Sequence, residues 1–175
     1  GHGGITDWND PKQITDYDVH GLPDLAQEKP EVYDYLVETS KRWIETLQPA
    51  GFRLDAVKHV PNSFWKKYNK EIYAMTSPEF VMLGEQLDGN PASVAQTAEE
   101  GEFNAIFDFP LHFAMVEVFC KDGNVGKLAS VLYADRLYPK SIRVDRRGLV
   151  TLLDNHDLPR IQSACGGDPR RVRDA

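Results

Sequence analysis

Four short apolar runs are separated by helical stretches, and three of them end in polar clusters. The runs are "GFRLDAV" (51–57), "EFVMLGEQ" (79–86), "FNAIFDFP" (103–110) and "GLVTLLDNHD" (148–157). Apolar runs of this length, parted by amphipathic segments, indicate parallel strands covered by helices on both faces. Pro30 precedes "EVYDYLVETSKRWIETL", where Val32, Leu36, Trp43, Ile44 and Leu47 fall at helical spacings and Glu31 lies in the first turn. Pro49 and Gly51 would end that helix. A second helix is expected over "SFWKKYNKEIYAMT", with Ser63 as its N-cap. "NPASVAQTAEEG" reads as a short helix or loop, and 111–138 as helical segments broken near Gly123 and Gly126. "DPRRVRDA" opens a solvated helix, with Asp168 as cap and Pro169 at the first helical position. Residues 1–30, rich in Gly, Asp and Pro, show no sustained period.

The charges pose a problem for the first run. Arg53 and Asp55 would sit in a buried strand, where an unpaired charge costs several kcal/mol. Alternation puts these two on one face and Phe52, Leu54 and Ala56 on the other. Arg53 would then hold Asp55 ionised by its charge and its hydrogen bonds. Lys58 and His59 follow. The second run ends in Glu85, and the fourth in Asp154, Asn155, His156 and Asp157. Ligands of parallel α/β folds bind outside the carboxyl ends of the strands, so three acid-bearing ends point to one shared site.

Several chemistries use such a set. His156 and Asp157 with His59 could hold a divalent ion for hydrolysis. A carboxylate pair could cleave glycosides. Arg53 and Lys58 weigh against a dense metal cluster, and an Asp nucleophile with a Glu acid suits the residues better. The bland alternative makes each strand end a capped, solvated loop. The net charge of −7 disfavours nucleic acid as a partner, and no apolar run approaches the roughly 20 residues of a membrane span. No secretory signal is visible. Cys120, in "FAMVEVFC", reads as a core thiol. Neither it nor Cys165 belongs to a CxxC pair, and a bridge between the two stays open.

"GFRLDAVKH", "GEQLDG" and "TLLDNHD", in this order, resemble three sequence motifs of the α-amylase family of glycoside hydrolases (family thirteen). "GLPDL" (21–25) resembles the short signature of that family's loop domain. The resemblance implies a (β/α)8 barrel, an α/β fold, with an irregular B domain inserted after the third strand. Residues 1–30 would be the end of that B domain, and 31–175 a partial barrel holding strands four to seven. The family's Asp-x-x-x-Asn-His motif is not found, so the chain reads as a piece of a longer enzyme, inactive by itself and with two open sheet edges.

The resemblance also assigns roles. Asp55 matches the nucleophile and Glu85 the acid/base, which would start protonated, a state favoured by anionic Asp55 and Asp157 nearby. Asp157 matches the third acid, gripping sugar hydroxyls. Arg53 would orient Asp55, His156 would bond the central sugar, and Lys58 and His59 would face the leaving group. Asp24 and the carbonyl of His59 match ligands of a structural calcium ion. Trp8, Tyr17 and Phe109 are candidates to stack on sugar rings. The implied substrate is an α-1,4-glucan such as starch or maltodextrin. The implied enzyme is a secreted monomer with no nucleic-acid or membrane partner. Glucanotransferases and branching enzymes share the triad. A metal-dependent hydrolase or a non-catalytic homologue is the alternative of another class.

Overall fold

The computed structural model describes residues 3–77, 79–144 and 148–175. Its centre is a four-stranded parallel sheet in the order β1-β2-β3-β4: Gly51–Leu54, Val81–Gly84, Ala105–Phe107 and Leu149–Val150. Neighbours pair in register, Gly51 with Val81, Leu83 with Ala105, and Ile106 with Leu149. β1 and β4 lie at the two ends of this order, each with one edge unpaired among the described residues.

Each strand is shorter than its apolar run, for a local reason. β1 stops at Leu54 because Ala56 adopts a left-handed conformation (φ 46°), turning the chain into a 3-10 turn at Val57–His59. This corrects the expected strand over 51–57. Before β3, the side chain of Asn104 substitutes for ladder backbone. Its Oδ1 accepts from Met82 N–H at 2.8 Å and its Nδ2 donates to the Phe80 carbonyl at 2.8 Å. After β3, Asp108 still donates its N–H to the Val150 carbonyl at 2.9 Å, but its side chain caps the next helix by accepting from Leu111 N–H at 3.0 Å. β1 approaches β2 closely, since a Cβ on Gly51 would stand 2.4 Å from the Val81 carbonyl oxygen.

Helices follow the strands. α1 (Pro11–Asp16) lies in the N-terminal segment, which is otherwise irregular. α2 (Pro30–Leu47) ends where Gln48 turns left-handed and donates to the Ile44 carbonyl, so Gln48 closes the helix ahead of Pro49. Gly51 belongs to β1. α3 (Asn62–Met75) starts after Pro61 and places Ser63 inside its first turn, so Ser63 is not the cap. α4 (Pro91–Glu100) is capped by Asn90, which accepts from Ala92 N–H. α5 (Phe109–Met115) runs on as a wider π turn, Val116–Cys120, and α6 (Gly126–Ala134) follows a break. α7 (Lys140–Val144) precedes β4. α8 (Ile161–Ala164) and α9 (Pro169–Asp174) follow it, α9 capped by Asp168.

The core lies where α2 and α3 cover β1 and β2. Tyr33, Val37, Leu54, Trp65, Ile72 and Met82 are buried there, and Phe52 packs against them. Ile72 and Met82 are fully enclosed, each worth about 1.5–3 kcal/mol of transfer energy. The face of α2 differs from the periodicity reading. Tyr33 and Val37 turn inward, whereas Trp43 and Leu47 are 53% and 64% exposed. A second cluster joins α4 to β3 through Val94, Ala98, Ile106, Tyr138 and Ile142. Cys120 is not a free core thiol. It forms a disulfide with Cys165, tying the π turn to the end of α8. Among the described residues no helix is long and apolar enough to cross a membrane.

Candidate active site

The polar strand ends converge. A cleft of about 500 Å³ is lined by Asp55 and Ala56 after β1, Glu85 and Leu87 after β2, and His156 and Asp157 after β4. Lys58, His59 and, from the N-terminal segment, Trp8 and His20 also line it.

Glu85 is the most enclosed acid of the cleft, 6% exposed. Its backbone is clamped to the end of β1: its N–H donates to the Leu54 carbonyl at 2.9 Å, and its carbonyl accepts from Val57 N–H at 3.0 Å. The left-handed turn at Ala56 makes the second bond possible and points Ala56 N–H toward Glu85 Oε2 at 3.4 Å. Arg53, on the opposite face of β1 from Leu54, bridges two acids. Nη1 donates to Asp55 Oδ1 at 2.8 Å, and Nη2 pairs with Glu85 Oε1. The sequence suggested a partnership with Asp55 alone.

On the far side, His156 Nε2 lies 3.2 Å from Asp157 Oδ2, and Asp157 N–H donates to Asn155 Oδ1. Asp154 belongs to the same polar cluster in sequence but serves the loop. It accepts from Ile161 N–H at 2.8 Å and Arg160 Nη1 at 2.6 Å, and these bonds hold its carboxyl below the usual carboxylate range. Lys58 Nζ stands 3.8 Å from Asp88 Oδ2. His59 turns its Nδ1 to the Ile14 carbonyl at 2.9 Å, anchoring α1 to the cleft.

The stacking candidates separate. Trp8 lines the cleft, half exposed, its ring edge-on to His59 with centroids 6.0 Å apart. Tyr17 ends α1, donating its N–H to the Gln13 carbonyl. Phe109 is fully buried against Phe107 and Phe113, so it is a core residue and cannot meet a sugar. Val19, His20, Leu22 and Leu87 also line the cleft; Leu22 and Leu87 lie inside "GLPDL" and "GEQLDG", but no periodicity or charge marks any of the four as a site residue.

The calcium ligands suggested by resemblance are Asp24 and the His59 carbonyl. Burial, with Asp16, Glu28 and Asp18 nearby, raises the Asp24 carboxyl above its usual value. Calcium takes roughly six to eight oxygens. Among the described residues no group of three or more His, Cys, Asp or Glu side chains is placed to hold a metal. One carboxylate and one carbonyl fall short of that number of oxygens, so these two residues are an incomplete set.

Comparison with known proteins agrees with the motifs. Residues 7–175 match the family model described as "Alpha amylase, catalytic domain". An α-amylase of Streptomyces lividans is 32% identical over 90% of the chain, and a cyclomaltodextrin glucanotransferase of Klebsiella oxytoca is 30% identical over 93%. The chain spans 18% and 26% of their respective lengths. Among solved structures, the α-amylase of Geobacillus thermoleovorans, complexed with acarbose, superposes with a TM-score of 0.81 at 36% identity. That match covers 93% of this chain and 35% of the other. A three-domain cyclomaltodextrin glucanotransferase superposes at 0.85 with 31% identity, covering 97% and 34%. The chain belongs to the α-amylase family of glycoside hydrolases, family thirteen, and its parallel sheet is part of that family's (β/α)8 barrel.

Proposed function

We propose that the protein carrying this chain hydrolyses α-1,4-glucans with retention of anomeric configuration. The observation that carries this reading is the cleft, which gathers Asp55, Glu85 and Asp157 from three strand ends, with Arg53 joining the first two.

Asp55 attacks the anomeric carbon while the glycosidic C–O bond breaks, its electron pair going to the departing oxygen. Glu85 gives that oxygen its proton. Water then loses a proton to Glu85 and attacks the same carbon, releasing Asp55 and restoring both carboxyls. Arg53 has donors on two sides of a planar fork, so it fixes the nucleophile and the acid relative to each other. Asp157, braced by His156, accepts from sugar hydroxyls and tightens as the ring flattens. Trp8 offers an apolar face to a sugar, and Lys58 faces the leaving group. No step passes through a metal. Asp55 and Glu85 already share a guanidinium, which disfavours a metal-dependent hydrolase. The complete acid set disfavours a non-catalytic homologue.

The segment 1–30 is proposed as the end of the inserted B domain. Secretion is proposed as well, supported by the Cys120–Cys165 disulfide, since such bonds persist in oxidising compartments.

A second reading replaces water with an acceptor sugar hydroxyl. The likeness to two cyclomaltodextrin glucanotransferases favours it. Product analysis of the full-length protein on starch separates the two. Hydrolysis releases new reducing ends, initially as the α-anomer. Rearranged or cyclic glucans without new reducing ends establish the transferase instead, and a β-anomeric first product rules out both.

A further inference from the structure

Beside Glu85 runs a relay of side chains that the reaction scheme leaves unused. Gln86 is buried, 2% exposed, although it adjoins an open cleft. Its Nε2 donates to Ser93 Oγ at 2.9 Å, and its Oε1 has no partner among the described residues. Ser93 Oγ donates to Asp88 Oδ2 at 2.9 Å. That same oxygen faces Lys58 Nζ at 3.8 Å, and Asp88 Oδ1 accepts from Asn90 N–H at 2.8 Å. The relay thus runs from the residue after Glu85, through the first turn of α4, and back to a lysine of the cleft wall.

Residues 85–88 have no regular secondary structure. The Glu85 backbone is clamped to β1, and Val57 N–H ties the turn that carries Lys58 to it, but the side chains of Lys58 and Leu87 that line the cleft extend beyond these bonds. A buried amide is an expensive residue for mere packing, since a methionine of similar length fills space without a polar group to satisfy. Each bond in the relay fixes the next, and a chain of donors ending on a carboxylate beside a cation is firmer than its members apart.

We propose that Gln86, Ser93 and Asp88 form a positioning relay that holds the leaving-group wall, Lys58 and Leu87, in register with Glu85. The proposal rests on the reading of Glu85 as the acid. The relay matters when a sugar must be held while its oxygen is protonated. It does not matter for a leaving group that needs no proton and fills no subsite.

The test uses the full-length protein with two substrates, a long maltodextrin and α-maltosyl fluoride. Ser93→Ala is expected to lower kcat/KM on maltodextrin about tenfold, as a small misplacement does, while the fluoride changes less than about twofold. Ser93→Thr, which keeps the hydroxyl, is expected to restore maltodextrin activity. Gln86→Met repeats the Ser93→Ala pattern, and the double variant is no worse than either single one. It carries the same test if Ser93→Ala does not fold. Equal losses on both substrates, no loss on either, or failure of Ser93→Thr to restore activity overturns the relay. Glu85→Gln separates the two layers: if it leaves maltodextrin turnover intact, the acid assignment itself fails. If it abolishes that turnover but the relay variants match the wild type, only the relay fails.

Discussion

Arg53 holds Asp55 and Glu85 at once, one guanidinium nitrogen 2.8 Å from Asp55 Oδ1 and the other paired with Glu85 Oε1. Two carboxylates that follow neighbouring strands, the proposed nucleophile and the proposed acid, are thereby joined by one planar group. Lysine keeps the charge but cannot serve two carboxylates in a set plane. Arg53→Lys in the full-length protein is expected to lower kcat by about a hundredfold, with KM changed only a few-fold. Steady-state kinetics on maltodextrin check it. A variant with near-normal kcat removes the bridge from the mechanism.

Trp8 reaches the cleft from the N-terminal segment and leaves half its surface exposed. A ring that stacks on a sugar contributes to binding, not to bond breaking. Trp8→Ala is expected to raise KM for maltodextrin about tenfold, equivalent to about 1.4 kcal/mol, with kcat little changed. An unchanged KM returns Trp8 to the role of a loop anchor against His59.

Asp108 gives a pH signature. It is 3% exposed, and burial raises its carboxyl above the usual value against the opposing bond from Leu111 N–H. A group whose folded pKa is raised binds its proton more tightly folded than unfolded. Its contribution is present at low pH and is lost as pH rises through the folded pKa. Asp108→Asn keeps the cap and removes the titration. Relative to wild type, the variant is expected to gain melting temperature from about pH 4 upward and to gain nothing below it. A difference independent of pH contradicts this.

The disulfide joins positions 45 residues apart. Loop entropy alone suggests about 4 kcal/mol for a closure of that length. Cys120→Ser with Cys165→Ser is expected to lower the melting temperature of the full-length protein by several degrees. Reduction should act on wild type and not on the double variant. Free-thiol titration of the unreduced, unfolded protein should find neither cysteine reactive.

Much of this fold was legible because apolar runs and helical periods alternate, and the sheet order follows the chain order. The strand lengths were not legible, because Ala56, Asn104 and Asp108 each redirect the backbone by a conformation or side-chain bond that hydropathy does not reveal. Phe109 illustrates another limit. An aromatic at a strand end reads the same whether it faces a cleft or a core, and only packing decides. The acids were legible because charge at a strand end is costly unless shared. The Arg53 bond to Glu85 was not, since it depends on the parallel pairing of β1 with β2, which sets Arg53 beside Leu83 and brings Glu85 to the end of β1. The Gln86 relay was hidden in the same way, spread over a loop and the start of α4.

Trapping a covalent intermediate tests the proposed nucleophile most directly. The full-length protein, incubated with a fluorinated maltosyl fluoride that slows the second step, is digested and the labelled peptide sequenced by mass spectrometry. A glycosyl ester is expected on Asp55, within the peptide containing "FRLDAVK". An ester on Glu85 or Asp157 instead, or inactivation-free turnover with no adduct and an inverted product, contradicts it.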